Sequence, residues 1–207
     1  MGMVQGFHVI FSTYGFWLPN DPRGSWSDWV RRWELLRFGA ATKVSTRQSV
    51  AGVAHDQQLR AAAKASLLYP EVHLTGPQAQ AVGFGFRDAV AESGYIVHAC
   101  SIMPQHVHMV LGRHERRVQR IIGHLKGRAT QQLIEAGLHP LAAFKQGDGT
   151  KPSPWGRNCW KVFLFSDWDM IRAIRYVEEN PLKESKPRQH WSFIQPYRGD
   201  TRSKLRR

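Results

Sequence analysis

An α+β fold is predicted for this 207-residue chain: a ferredoxin-like (RRM-like) antiparallel sheet with helices on one face, an additional C-terminal helix, and a Trp/Arg-rich insertion after the first strand. Three observations predict it. Periodicities run strand, helix, strand, strand, helix, strand, helix; only a short Met-Pro break separates the two central strands; and a long apolar stripe of helical period follows them.

Phe7-His-Val-Ile-Phe-Ser-Thr-Tyr-Gly-Phe16 is β-branched and aromatic enough for a first strand, which Pro19, Pro22 and Gly24 end. The insertion, residues 20 to about 75, sets Trp26, Trp29 and Trp33 among Arg23, Arg31, Arg32 and Arg37, with a short helical pattern around Gln57 to Leu68. Interleaved Trp and Arg suit stacking on bases and pairing with phosphates. They equally suit closing over a small core, and both readings stay open here.

Thr75 predicts a helix cap, and Ala79, Val82, Phe86, Ala89 and Val90 recur at helical spacing until Gly94. Tyr95 to Ile102 reads as a strand stopped by Met103-Pro104, and the next strand starts at once, so the two form a tight hairpin. In that second strand His106 and His108 alternate with Val107, Met109 and Leu111. Both imidazoles therefore share one face, about 6.5 to 7 Å apart along the strand, and can converge on one divalent cation. A bare His-x-His pair also occurs as solvent-facing residues of ordinary sheets.

Val118, Ile121, Ile122, Leu125, Ala129 and Leu133 form the apolar stripe of a second helix. Arg117, Arg120, His124 and Arg128, with Lys126 beside them, make its basic face; few acids balance the run, which favours phosphate contact over a merely solvated surface. Asn158 to Phe165 is the fourth strand. Ser166 and Asp169 form a capping box opening the last helix, Asp167 to Asn180, which Pro181 is expected to halt.

Twenty-nine Lys and Arg against sixteen Asp and Glu give a net charge of +13, which points to a polyanionic partner, nucleic acid first. No apolar run approaches the ~20 residues of a membrane span, and the N-terminus lacks a charged-then-apolar leader, so no membrane association and a cytoplasmic location are expected. Cys100 and Cys159 lack metal-type spacing and are expected to be reduced and structural. The expected organisation is one domain over residues 1–185, carrying the insertion, and a basic tail over residues 186–207 that holds a duplex stem or stays disordered.

On a helical wheel, Tyr176 points away from its helix's apolar stripe, with Arg172 and Asn180 each about 40° to either side. A phenol attacks poorly at neutral pH unless positive charge favours the phenolate. Arg172, Arg175 and a histidine-bound cation are the candidates to provide it, and the Asn180 carbonyl oxygen is a candidate ligand for that cation.

The Met103-Pro-Gln-His-Val-His-Met-Val-Leu111 segment resembles the histidine-hydrophobe-histidine (HUH) motif of single-tyrosine transposases. Arg175-Tyr-Val-Glu-Glu-Asn-Pro-Leu-Lys183 is similar to the Tyr-x-x-x-Asn-Pro helix of their REP-associated branch, and Thr13 to Gly24 looks like the start of many relatives. The resemblance covers most of residues 7–185. It implies His106, His108 and Asn180 as ligands of Mg2+ or Mn2+, although insertion-sequence relatives carry the longer Gln where Asn180 stands. It implies Tyr176 as the nucleophile that cleaves single-stranded DNA near hairpins through a 5′-phosphotyrosine and rejoins it. Arg117, Arg120, His124, Lys126, Arg128, Arg172 and Arg175 are then the expected DNA contacts. A monomer is favoured for the free protein, with a homodimer as the alternative. Two other classes stay in view: a DNA-hairpin-binding protein without chemistry, and a zinc hydrolase, which would leave the Tyr176 and Asn180 face unexplained.

Overall fold

The computed structural model describes residues 3–46 and 50–199 and divides into two compact units. The first is drawn from residues 1–11, 74–139 and 159–207, the second from residues 12–73 and 140–158. Of the basic tail, residues 200–207 lie outside the described residues.

The first unit holds a four-stranded sheet in the order β2-β3-β1-β4, built from β1 (Gly6–Ser12), β2 (Val97–Ile102), β3 (His106–Gly112) and β4 (Trp160–Leu164). β2 pairs antiparallel with β3, and β1 antiparallel with β4. This is the predicted α+β arrangement. β1 ends earlier than expected, because Thr13 to Gly15 leave the sheet and Gly15 takes a left-handed φ of 80°.

Strand alternation gives the sheet two different faces. Val9, Phe11, Val107, Met109 and Leu111 are buried on the side of α3 (Gly76–Ser93) and α4 (Val118–Glu135), where Phe11 meets Phe86 edge-on at 6.0 Å. All six residues of the predicted α4 stripe are buried. α3 starts on a Thr75–Gln78 capping box and ends at left-handed Gly94, as its sequence predicts. α3 and α4 cross closely because Gly85 lacks a side chain: a Cβ there would lie 2.5 Å from the Ala129 backbone.

The opposite face carries His8, His106, His108 and Val110 and is covered by α5 (Asp167–Lys183). Met170, Ala173 and Val177 of α5 pack with Ala99, Val110 and Leu164 of the strands. α5 begins on the expected Ser166–Asp169 capping box, but it does not stop at Pro181; it continues to Lys183. A proline in the last turn forgoes one hydrogen bond without ending the helical path.

The tail is folded where described. Gln189 gives and takes 2.8 Å hydrogen bonds with the backbone C=O and N–H of Ile102, and the Gln195 N–H donates to Val97 O at 2.8 Å. The outer rim of β2 is thus occupied. Trp191 stacks on Phe193 and lies against Gly83 of α3, where a Cβ would approach its ring to 2.2 Å.

In the second unit, α1 (Trp33–Leu36) and α2 (Gln57–Ala65) help bury a small core of Leu18, Leu35 and Ala63, backed by Val30, Phe38 and Leu67. The segment 140–158 joins it through the Tyr14 N–H to Pro154 O bond and the Thr13–Trp155 bridge. No described helix is long and apolar enough to cross a membrane.

Candidate active site

β3 places His106 and His108 on the α5 face with ring centroids 4.8 Å apart. α5 brings Tyr176 to them: its ring lies 5.6 Å from that of His108 and remains 40% exposed. A third imidazole, His8 of β1, completes the cluster, 5.5 Å from His108 and 5.6 Å from Tyr176, with Trp160 edge-on against it. His8 Nε2 and His108 Nδ1 share a 3.3 Å hydrogen bond. One His108 nitrogen is thereby engaged, which leaves Nε2 as the one to meet a ligand.

Burial keeps these imidazoles neutral. It lowers His8 to about 4 and His108 to about 2, the latter helped by the like charges that His106, His8 and Lys183 would carry, and it lowers His106 against the opposing pull of Glu184. Neutral imidazoles keep the lone pairs that a cation needs.

A pH effect on stability follows. Unfolded imidazoles protonate near pH 6.5, while His8 and His108 resist until about 4 and about 2, so the unfolded state binds more protons below 6.5. Stability is complete above that pH and falls as pH drops, by about 1.4 kcal/mol per unit for each group. Urea midpoints between pH 7 and 5, taken in EDTA, should fall for the parent and less steeply for His8→Asn. Parallel profiles would remove His8 from the titration.

Asn180, one turn beyond Tyr176, is buried, and its Nδ2 has no hydrogen-bond partner among the described residues. Ser101, directly across from His108 in the β2–β3 ladder, likewise has a buried Oγ without one. Rotating the Asn180 amide puts its oxygen where that nitrogen lies. Two neutral imidazoles and a buried, unsatisfied amide fit a divalent cation. Among the described residues, no cluster of three or more His, Cys, Asp and Glu is arranged to hold one; Asn180 stays the expected third ligand on the strength of its buried, unpartnered amide one turn beyond Tyr176.

The cations expected at Tyr176 are placed otherwise. Arg175 is turned to Glu179, with Nε 2.8 Å from Oε1, and Arg172 is exposed with Asp169 among its neighbours in charge. Lys183 takes the place instead, its Nζ 4.0 Å from the Tyr176 ring centroid. Burial still pushes the Tyr176 hydroxyl above the usual phenol value.

Arg117, at the N-cap of α4, and Arg120 are exposed, whereas the others are engaged by neighbours. Arg128 meets Glu92 at 3.0 Å, and His124 lies between Glu92 at 3.1 Å and the Tyr95 hydroxyl at 3.0 Å. Lys126 sits over the Phe11 ring, and burial lowers its amine to about 8. The balancing acids thus come from α3. Cys100 and Cys159 are free thiols.

No family model matches the chain, and no curated protein does. Among solved structures, the chain is similar to a REP-associated tyrosine transposase bound to a REP hairpin, at 12% identity and a TM-score of 0.46, over 93% of this chain and 78% of the other. It is also similar to a protein of Deinococcus radiodurans R1 assigned as a transposase, at 14% identity and a TM-score of 0.42, over 86% and 92%. At such identities the functional reading rests on the side chains themselves.

Proposed function

We propose that this protein is a metal-dependent single-stranded DNA endonuclease and transposase that cleaves and rejoins DNA near hairpins through a 5′-phosphotyrosine. The observation that carries the proposal is the convergence of Tyr176 from α5 on His108 and His106 of β3, with the tyrosine still open to solvent.

Tyr176 Oη gives up its proton and bonds to phosphorus as the P–O3′ bond breaks; the 3′ oxygen takes a proton and leaves as a hydroxyl. The 5′-phosphate stays on the tyrosine, so a second 3′-hydroxyl can reverse the step and join new ends without ATP. Lys183, over the Tyr176 ring, favours the negative charge that the phenol acquires. His8 engages Nδ1 of His108 and so leaves its Nε2 for the cation. A Mg2+ or Mn2+ ion held by His106, His108 and Asn180 would supply Lewis-acid neutralisation at the scissile phosphate when bound.

Arg117 and Arg120 are assigned to flanking phosphates. Replacing either by Gln should reduce the slope of log affinity against log salt by about 0.7–0.9. Arg128→Gln should instead lower the melting temperature with little change of slope, because it removes the Arg128–Glu92 ion pair that ties α4 to α3. Equal slope changes for all three would return Arg128 to the DNA surface.

One observation favours a hairpin-binding protein without chemistry: burial leaves the Tyr176 pKa raised even with Lys183 over its ring. A denaturing gel of the protein with labelled hairpin DNA and Mn2+ decides between the two. A shifted covalent band supports the transesterase, and its absence under conditions of tight binding supports the binder.

A further inference from the structure

We propose that the exposed Trp29–Trp33 segment of the second unit is a binding surface for unpaired DNA bases, made of residues other than the tyrosine–histidine cluster. The segment's residues sort by side chain. Leu35 points into the small core with Leu18 and Ala63, while its neighbours Trp33 and Leu36 are 82% and 58% exposed, and Trp29 is 72% exposed. Trp26 adds a third indole, 41% exposed, so three large apolar rings lie within eight residues while the core beneath is built from Leu18, Leu35 and Ala63 with Val30, Phe38 and Leu67. Trp29 and Trp33 are not part of that core.

Charge identifies the partner. Arg31, Arg32 and Arg37 are exposed around the indoles. Of the two acids in the segment, Asp28 is engaged by Lys43 and Glu34 is buried, so little negative charge faces outward. Arg23 and Trp17 show the contrasting arrangement within the same unit. Arg23 pairs with buried Asp21 and stacks on Trp17 at 3.9 Å, an inward Trp–Arg pair complete in itself. In the outward set Arg32 lies 3.9 Å from buried Glu34, a longer contact than the 2.8 Å Arg23–Asp21 pair, and Arg31 and Arg32 stand between the exposed Trp29 and Trp33 in the sequence.

Unpaired bases offer π faces for indoles, and their backbone offers phosphates for arginines; a duplex hides the first and an apolar protein partner lacks the second. The choice of DNA over RNA rests on the function proposed above. The choice of an unpaired strand rests on the indoles alone.

The test uses the full chain and two probes: a fluorescent oligo-dT of about 20 nucleotides, enough for several stacking contacts, and a blunt hairpin without single-stranded flanks. Trp29→Ala and Trp33→Ala should each weaken oligo-dT binding about ten-fold, within the range for one lost base stack. Their salt slopes and their affinity for the blunt hairpin should stay at parental values. Arg31→Gln and Arg32→Gln should each reduce the oligo-dT slope by about 0.7.

Parental oligo-dT affinity in the Trp29→Ala/Trp33→Ala double variant overturns the proposal. So does light scattering in which the double variant loses a self-association while keeping that affinity, since the surface would then serve a second copy. Failure of the cleavage reading is separable: it removes the covalent band at Tyr176 and leaves these oligo-dT differences in place.

Discussion

Tyr176→Phe should abolish both strand cleavage and the denaturation-resistant adduct while leaving hairpin affinity close to that of the parent. The change removes one hydroxyl and no positive charge, so the phosphate contacts proposed for Arg117 and Arg120 should persist. Deleting a nucleophile that acts with its partners as a unit costs on the order of 10⁴-fold or more in rate. The Tyr176 ring should still pack between Lys183 and the imidazoles of His8 and His108, so the variant should melt near the parent. Cleavage persisting near the parental rate would mean that another group attacks, and mapping the adduct by mass spectrometry would identify it.

The second large effect concerns the imidazoles. His106→Ala and His108→Ala should each reduce cleavage by on the order of 10²-fold or more, and excess EDTA should reproduce that loss in the parent. His8→Asn should act differently. It leaves all three candidate ligands in place but removes the partner of His108 Nδ1, so calorimetric Mn2+ affinity should fall about 10- to 100-fold, with activity partly restored at high Mn2+. Full activity in EDTA would eliminate the cation from the mechanism, and unchanged Mn2+ affinity in His8→Asn would eliminate its positioning role.

Local rules made much of the fold legible. The α4 stripe, the α3 cap and stop, the α5 capping box and the β2–β3 hairpin all follow from periodicity or from single turn residues, which act within a few positions of themselves. The shared face of His106 and His108 follows from strand alternation alone. What escaped depends on distant pairing. His8 reads as an ordinary strand residue until β1 is laid beside β3, and the acids that engage His124 and Arg128 sit on α3, out of sight of any α4 wheel.

Lys183 was missed for a different reason. It falls about 20° from Tyr176 on the helical wheel, closer than Arg172 or Asn180, so the signal was present. Taking Pro181 as the end of the helix discarded it. Likewise, segment 140–158 reads as a loop, since only its partners from residues 12–73 give it a place to fold.

The hydrogen bonds of Gln189 and Gln195 carry a practical consequence for any shortened form of this protein. A chain ending at Ser185 would retain His8, His106, His108, Tyr176, Asn180 and Lys183. It would also uncover the Val97–Ile102 backbone rim and strip Trp191 and Phe193 from the surface of α3. An open strand edge beside exposed apolar surface is a template for neighbouring chains. Precipitation would therefore precede any loss of chemistry in the shortened protein, and the stretch from Gln189 to Gln195 acts as a built-in guard against self-templating.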